Sequence, residues 1–288
     1  MKSILIAFLS FSVSVLNAQT KDGIFKIDQD YAMSPNGTIK INTSDAKVYI
    51  TGSSRANAHV KIYRQVTTKG VVFGTEEFAV DVYEEQGDLI IREHSNSTTV
   101  GMIGYHYEKY EINLEVPEGT SLNVKGDDGD YLVRNVNGRI QMDLDDADVE
   151  LSACSGDDFR FRLDDGDIVM DEGKGKLDID ADDADVRITN AHFTSVVADV
   201  DDGDLQIETS LADNGEYLIN AQDGLVALTI TRGGGQIDIR HDDTRVSTEG
   251  NFKQIDRSEN RTSLVLASGN ARVDIRTDDG RVRLVQRQ

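Results

Sequence analysis

The sequence predicts an all-β protein: a parallel β-solenoid with coils of about 18–19 residues, behind a less regular N-terminal β region that caps it. Three observations predict this. A short phrase (small turn residue, polar, apolar, any residue, apolar) recurs at steps of 9 or 10 residues or their multiples, and self-similarity at a fixed period marks a repeat architecture. Acidic turns recur at every second step. Helical periodicity is nearly absent, while apolar and polar residues alternate over short runs bounded by Gly, Asp and Asn, the pattern of half-buried strands.

Residues 1–18 join Lys2 to an apolar run that ends in small residues at Ala18, the pattern of a secretory signal peptide, and cleavage there would leave Gln19 first. The run is shorter than the roughly 20 residues that span a bilayer, and no later segment is apolar enough to do so. The expected location is therefore exported: periplasm, cell surface or secreted. Residues 19–116 form the expected N-terminal β region, with Ile39 and Ile41, Val48 and Ile50, Val60 and Ile62, Phe78, Val80 and Val82, and Ile112, Leu114 and Val116 facing inward. Residues 117–288 form the expected repeat domain.

In that domain the phrase runs from Gly138 to Met142, Ala147 to Leu151, Gly166 to Met170, Gly175 to Ile179, Ala184 to Ile188, Gly203 to Ile207, Gly235 to Ile239 and Gly280 to Leu284. Double-Asp turns stand at Asp127-Asp128, Asp145-Asp146, Asp164-Asp165, Asp182-Asp183 and Asp201-Asp202, spaced 18, 19, 18 and 19 residues. Later copies contain Asp223, Asp242-Asp243 and Asp278-Asp279. The turns between them differ, for example Val136-Asn137-Gly138 and Cys154-Ser155-Gly156, so two short strands and two unlike turns make one unit. A long antiparallel meander with Asp-Gly hairpins would also place acidic turns on one edge. Burial favours the solenoid, because strands with one apolar face and no helix to cover them need a second apolar layer, which a coil supplies from its own opposite strand.

Composition narrows the partners. The chain of 288 residues has 30 Lys and Arg against 52 Asp and Glu, a net charge of −22, which argues against nucleic acid or an anionic membrane surface. Cations, cationic surfaces, neutral glycans and proteins of the envelope remain as ligands. Cys154 is the single cysteine, so no internal disulfide is expected in an exported protein, and the thiol reads as a small buried residue.

The run Tyr110 to Val124, leading into the Gly-Asp and Gly-Arg strand repeats, and upstream Gly37 to Asn42 and Ala46 to Gly52, resemble the DUF4097 family of adhesin-like exported bacterial proteins. The likeness covers roughly Phe25 to Leu284. It implies an extracytoplasmic parallel β-solenoid and supplies no catalytic residues. The density of double-Asp turns departs from the family's usual Ser, Thr and Gly.

Those turns are the first candidate site. Stacked coils would place equivalent residues about 4.8 Å apart, where two carboxylates repel by about 1 kcal/mol in bulk water and about 3–4 kcal/mol at an effective dielectric of 20. A calcium ladder on Asp127, Asp128, Asp145, Asp146, Asp164, Asp165, Asp182, Asp183, Asp201 and Asp202 would offset that repulsion, calcium being a hard cation that takes carboxylate oxygens at turns. The other reading is turn chemistry with hydrated, screened charges that also defend strand edges against aggregation. The Gly-rich spacing of calcium β-rolls is missing.

The second candidate is Tyr105, His106 and Tyr107, which interrupt the alternation with exposed aromatics suited to a glycan or protein partner. The same segment could instead cap the first coil and bury Ile103. Catalysis is the third alternative, since β-helices host polysaccharide-active enzymes. A glycosidase needs two carboxyls singled out at a set separation, whereas here nearly every coil repeats the same carboxyls. His59, His94, His106, His192 and His241 lack metal spacing. The sequence therefore points to a non-catalytic binding or structural module, with a calcium-stabilised scaffold and a polysaccharide-active enzyme as alternatives.

Overall fold

The computed structural model describes residues 23–73, 76–97, 101–267 and 269–287. The signal-peptide reading of residues 1–18 falls outside them, as does the side chain of Ile103. The described residues form 21 strands and no helix.

Parallel pairing decides between solenoid and meander. Leu122, Ile140, Phe159, Leu177, Val196 and Tyr217 stack strand on strand along one wall, and Tyr131, Val149, Ile168, Val186, Leu205 and Val226 along the other, every ladder parallel. The inward residues of both walls meet in one core, where Tyr131, Phe159, Phe161, Phe193 and Tyr217 are the largest fully buried side chains. The period of two in the strands thus becomes two facing apolar layers. All the inward pairs read from the repeats are buried, and Val246 of the edge strand Thr244–Glu249 packs half-buried against them. Phe78 and Val82 pack half-buried against the same core.

The order of coils departs from the order of the chain at both ends. The coil made by Thr38–Thr43 and Lys47–Ser53 stacks directly beneath Ser121–Arg134, although it lies before residue 117. Between them in sequence runs an arm of four long strands, Ala58–Phe73, Glu76–Glu85, Asp88–Ser97 and Gly101–Pro117, paired antiparallel as 58–73 with 101–117 and 76–85 with 88–97. Its two ends rejoin the two walls of the first coil in parallel, at Leu89–Arg92 and Glu111–Pro117.

With Ile24–Tyr31 added on its outer edge, this arm closes the N-terminal end. The closure is aromatic: Phe78 meets Phe25 and Tyr110 edge-on, each at 5.3 Å between centroids, and the Arg64 guanidinium lies 4.0 Å over the Phe78 ring while pairing with Glu108.

At the other end the last strands, Ala271–Thr277 and Gly280–Gln286, slot between the coil of Glu216–Ile230 and the coil of Gly235–Glu249. The strand Gly235–His241 takes Arg261–Leu266 on its remaining edge, and Phe252–Ser258 follows as the outermost strand.

Candidate functional site

The acidic corner is built by a repeated local solution. Asp128, Asp146, Asp165, Asp183 and Asp202 stand in register across successive coils, and all ten ladder aspartates are exposed. The same corner begins at Ser44-Asp45-Ala46 and ends at Asp278-Asp279 and Asp242-Asp243, the latter two reversed in stacking order. Sequence reading missed Asp45 as the first rung. Its signal is the phrase Ala46 to Ile50, which matches Ala184 to Ile188 in form.

Alternation of Gly and Ala at the third turn position follows from close stacking. A Cβ on Gly166 would stand 2.3 Å from the Ala147 carbonyl oxygen, and one on Gly203 2.3 Å from that of Ala184, while both glycines hold positive φ, 118° and 134°. Ala147 and Ala184 instead send their methyls into the core. The next residue locks the turn to the following coil. Asp148 Oδ1 accepts from the Asp167 N–H at 3.1 Å, Asp185 Oδ1 from Asp204 at 2.8 Å, and Asp204 Oδ1 from Leu225 at 3.1 Å. The role of these third aspartates was not read from the sequence, although they follow the small residue in the phrases that open at Ala147, Gly166, Ala184 and Gly203.

Electrostatics at the corner is repulsive. Partial desolvation, then Asp165 and Asp128, push the Asp146 carboxyl above its ordinary range; desolvation, then Asp164 and Asp201, do the same to Asp182. Burial, followed by Asp128 and Glu108, raises Asp45. Elsewhere carboxylates are held low: Asp88 by the Thr38 N–H and Lys40, and Asp171 by Asn190 and Thr189. At Asp238 burial opposes ionisation, but hydrogen bonds from Ser263, Arg261 and Gln236 outweigh it and hold the carboxyl low.

The signs give a pH profile. Groups raised in the folded state contribute stability that is full below the ordinary Asp value of about 3.9 and is lost as pH rises through their folded value. Groups held low contribute stability that is full above that value and is lost as pH falls through theirs. The melting midpoint is therefore expected to climb from pH 7 towards about pH 4 and to fall below it. A midpoint that falls steadily from pH 7 downward would contradict the ladder's repulsion. Among the described residues, no three His, Cys, Asp or Glu gather as the ligand set of one metal ion.

The structure joins the two predicted sites at one end. The arm leaves the first coil at the acidic corner, where Glu93 accepts from Thr43 Oγ1 (2.8 Å), the Ser44 N–H (3.0 Å) and Ser44 Oγ (2.7 Å). Tyr105 and Tyr107 lie on this arm and are exposed, at 57% and 50%. His106 points to the opposite side of the strand, with Thr68 Oγ1 3.3 Å from its Nδ1 and Glu108 3.8 Å from its Nε2.

Tyr105 and Tyr107 share their strand face with Lys109, Glu111, Asn113 and Glu115, which line a concavity of about 850 Å³. Tyr49, Thr51, Lys61, His59 and Tyr63 complete its floor. Lys26 Nζ sits 5.2 Å and Lys109 Nζ 5.9 Å from the Tyr63 centroid, and Lys109 also pairs with Glu111 at 3.0 Å. His59 lies between Asp28 (3.2 Å) and Asp30 (2.9 Å). Charges of both signs are thus interleaved with two half-buried tyrosine rings. This groove was not legible in the sequence, because its polar and aromatic lining is gathered from the outward positions of four separate strands.

The profile of the Toastrack DUF4097 family matches residues 36–285. The chain belongs to that family. Solved structures resemble this Toastrack chain over most of its length. A candidate cell adhesion protein of Clostridium sporogenes matches with 12% identity, 91% of this chain and 100% of the other, at a TM-score of 0.27. A candidate adhesin of Bacteroides fragilis matches with 12% identity, 90% and 97% coverage, at 0.38. A candidate lipid-binding protein of Parabacteroides distasonis matches with 14% identity, 91% and 97% coverage, at 0.31. Likenesses this distant bear no argument about function. No curated protein matches the Toastrack chain.

Proposed function

We propose that this chain is an exported, non-catalytic, adhesin-like binding module of the cell envelope, and that it engages a hydroxyl-rich ligand such as a neutral glycan at its N-terminal end. One observation carries the reading. Tyr105 and Tyr107 extend the sheet face that already holds Tyr49 and Tyr63, so four tyrosines share one face, two of them inside the charge-balanced groove and two exposed beyond it. Tyrosine offers a flat apolar face and a polar tip at low entropic cost. Interleaved acids and bases supply acceptors and donors for hydroxyl groups, and a neutral ligand escapes the field of the −22 body. Catalysis is disfavoured because the exposed carboxyls of the corner are alike in setting, and none is singled out as acid or base.

Affinity electrophoresis through gels containing neutral or acidic polysaccharide tests the proposal. Wild-type chain is expected to be retarded by a neutral polysaccharide that it leaves uncleaved, and a variant with Tyr49, Tyr63, Tyr105 and Tyr107 changed to Ala is expected to run free. Equal retardation of both proteins, or shortening of the polysaccharide, would sink it.

Calcium stabilisation of the corner is a second reading, favoured by the repulsion that raises Asp146 and Asp182. It predicts a melting midpoint higher in calcium than in chelator, by more than an equal ionic strength of sodium produces.

A further inference from the structure

The concave surface of the tyrosine wall continues past the groove. Tyr49, inside the groove, is in register with Leu132, and that row of outward positions runs strand by strand through Val169 and Arg187 to Ala227 and Arg283. Two further concavities lie on the same row. One, of about 300 Å³, is lined by Leu132 and Val169; the other, of about 310 Å³, lies between Arg187 and Arg283, where Ala227 puts a short side chain in the row. Seven strand steps of about 4.8 Å separate Tyr49 from Arg283, a track of roughly 34 Å that crosses the strands along the axis of the stack.

Charge changes sign along the track. At the middle concavity Asp130 pairs with Lys47 at 2.7 Å and Glu150 with Arg134 at 3.5 Å, which leaves Asp148 and Asp167 as surplus acid. At the far one Arg283 pairs with Glu249 at 3.3 Å and Arg287 with Glu208, which leaves Arg187, without an ion pair among the described residues, as surplus base. A polyanion laid on the row would meet like charge in the middle, and a polycation would meet it at the far end. An uncharged chain meets neither. Leu132 and Val169 are separated in the row by Glu150, so the row does not build the contiguous apolar centre of a protein interface.

We infer that the ligand is a linear, uncharged polysaccharide that lies along this row, with one segment in the tyrosine groove and successive units over the two further concavities. The inference rests on the glycan reading above and adds the form of the ligand to it: a polymer that spans the wall, not a short or terminal glycan. Thr189, Gln206 and Thr229 line the far concavity and offer hydroxyl and amide groups to sugar hydroxyls. Concavities of about 300 Å³ stand at the lower limit of small-molecule sites, so each contributes little by itself. On one chain they act together, because a unit held in the groove presents its neighbours to the next concavity at high effective concentration.

Isothermal titration of the full chain with dextran, mannan and amylose, and with oligosaccharides of graded length cut from whichever binds, tests it. Affinity is expected to keep rising beyond the length that fills the groove, by roughly tenfold or more for chains that reach Arg283. The variant V169N/A227Q removes an apolar contact and fills the notch at Ala227. It should lose that gain, bind the shortest oligosaccharides as wild type does, and keep the wild-type melting midpoint, because Val169 is exposed and Ala227 half-buried on the outer face. Y49A/Y63A should weaken chains of every length. Affinity that levels off once the groove is filled, or polymer binding untouched by V169N/A227Q, overturns the inference and leaves the glycan reading standing. Failure of the wild-type chain to bind any of the three polysaccharides removes both together.

Discussion

Gly166→Ala is expected to lower the unfolding free energy by about 2–6 kcal/mol, although it adds a single methyl to a turn at the acidic corner. Two costs combine. The added Cβ would meet the Ala147 carbonyl oxygen at 2.3 Å and its carbonyl carbon at 2.7 Å, and backbone of the neighbouring coil cannot step aside without opening the ladder. The φ of 118° is also one that a side-chain-bearing residue rarely adopts, a strain of about 1–3 kcal/mol, and crowding a close-packed site adds about 1–3 kcal/mol more. The reciprocal change, Ala184→Gly, adds no clash, and its cost should be limited to the loss of a buried methyl and extra chain freedom, about 1 kcal/mol. Urea unfolding of both variants checks the pair. Equal midpoints would show that the Gly and Ala turns are interchangeable and that the stacking account of their alternation is wrong.

Phe161→Ala is expected to cost about 3–5 kcal/mol. Phe161 is fully buried, sits between Met142 and Ile179 in the stack, and shares its strand with Phe159, whose ring meets Phe193 edge-on at 6.3 Å. A two-walled coil has one layer of side chains from each wall, so a missing ring leaves a void bounded by backbone on both sides, and relaxation is limited. Phe161→Leu should recover more than half of the loss. Because each coil touches mainly its two neighbours, the damage is expected to be local first. Hydrogen exchange should accelerate in 140–188 before it does so at the aromatic closure of the N-terminal end. Uniform acceleration along the chain would instead mean that the stack unfolds as one unit.

Much of this was legible in the residues. The period of two placed Ile140 and Met142, Val186 and Ile188, and most other named pairs in the core, because one face of every strand had to be apolar. The spacing of the double-Asp turns placed them in one line along one corner. Tyr105 and Tyr107 were legible as exposed aromatics, but Tyr49 and Tyr63 were not their visible partners. A strand pattern tells which side a residue faces and not which other strands share that side. His106 was grouped with its neighbours by sequence, whereas strand alternation sends it to the other face.

The sequence by itself determined the family, the two-walled coil, the buried and exposed sides of nearly every strand and the charge of one corner, since each depends on local periodicity and turn chemistry. Only the tertiary structure decided the order in which coils stack. Near-identical phrases can pair with any neighbour, so pattern alone does not choose among them. The strand Gly235–His241 has two edges, and with Arg261–Leu266 on one and Ala271–Thr277 on the other it has none left for Glu216–Ala221. That choice inserts the last coil of the chain one step early, and it brings Arg276 beside Arg240 and Arg281 beside Arg245.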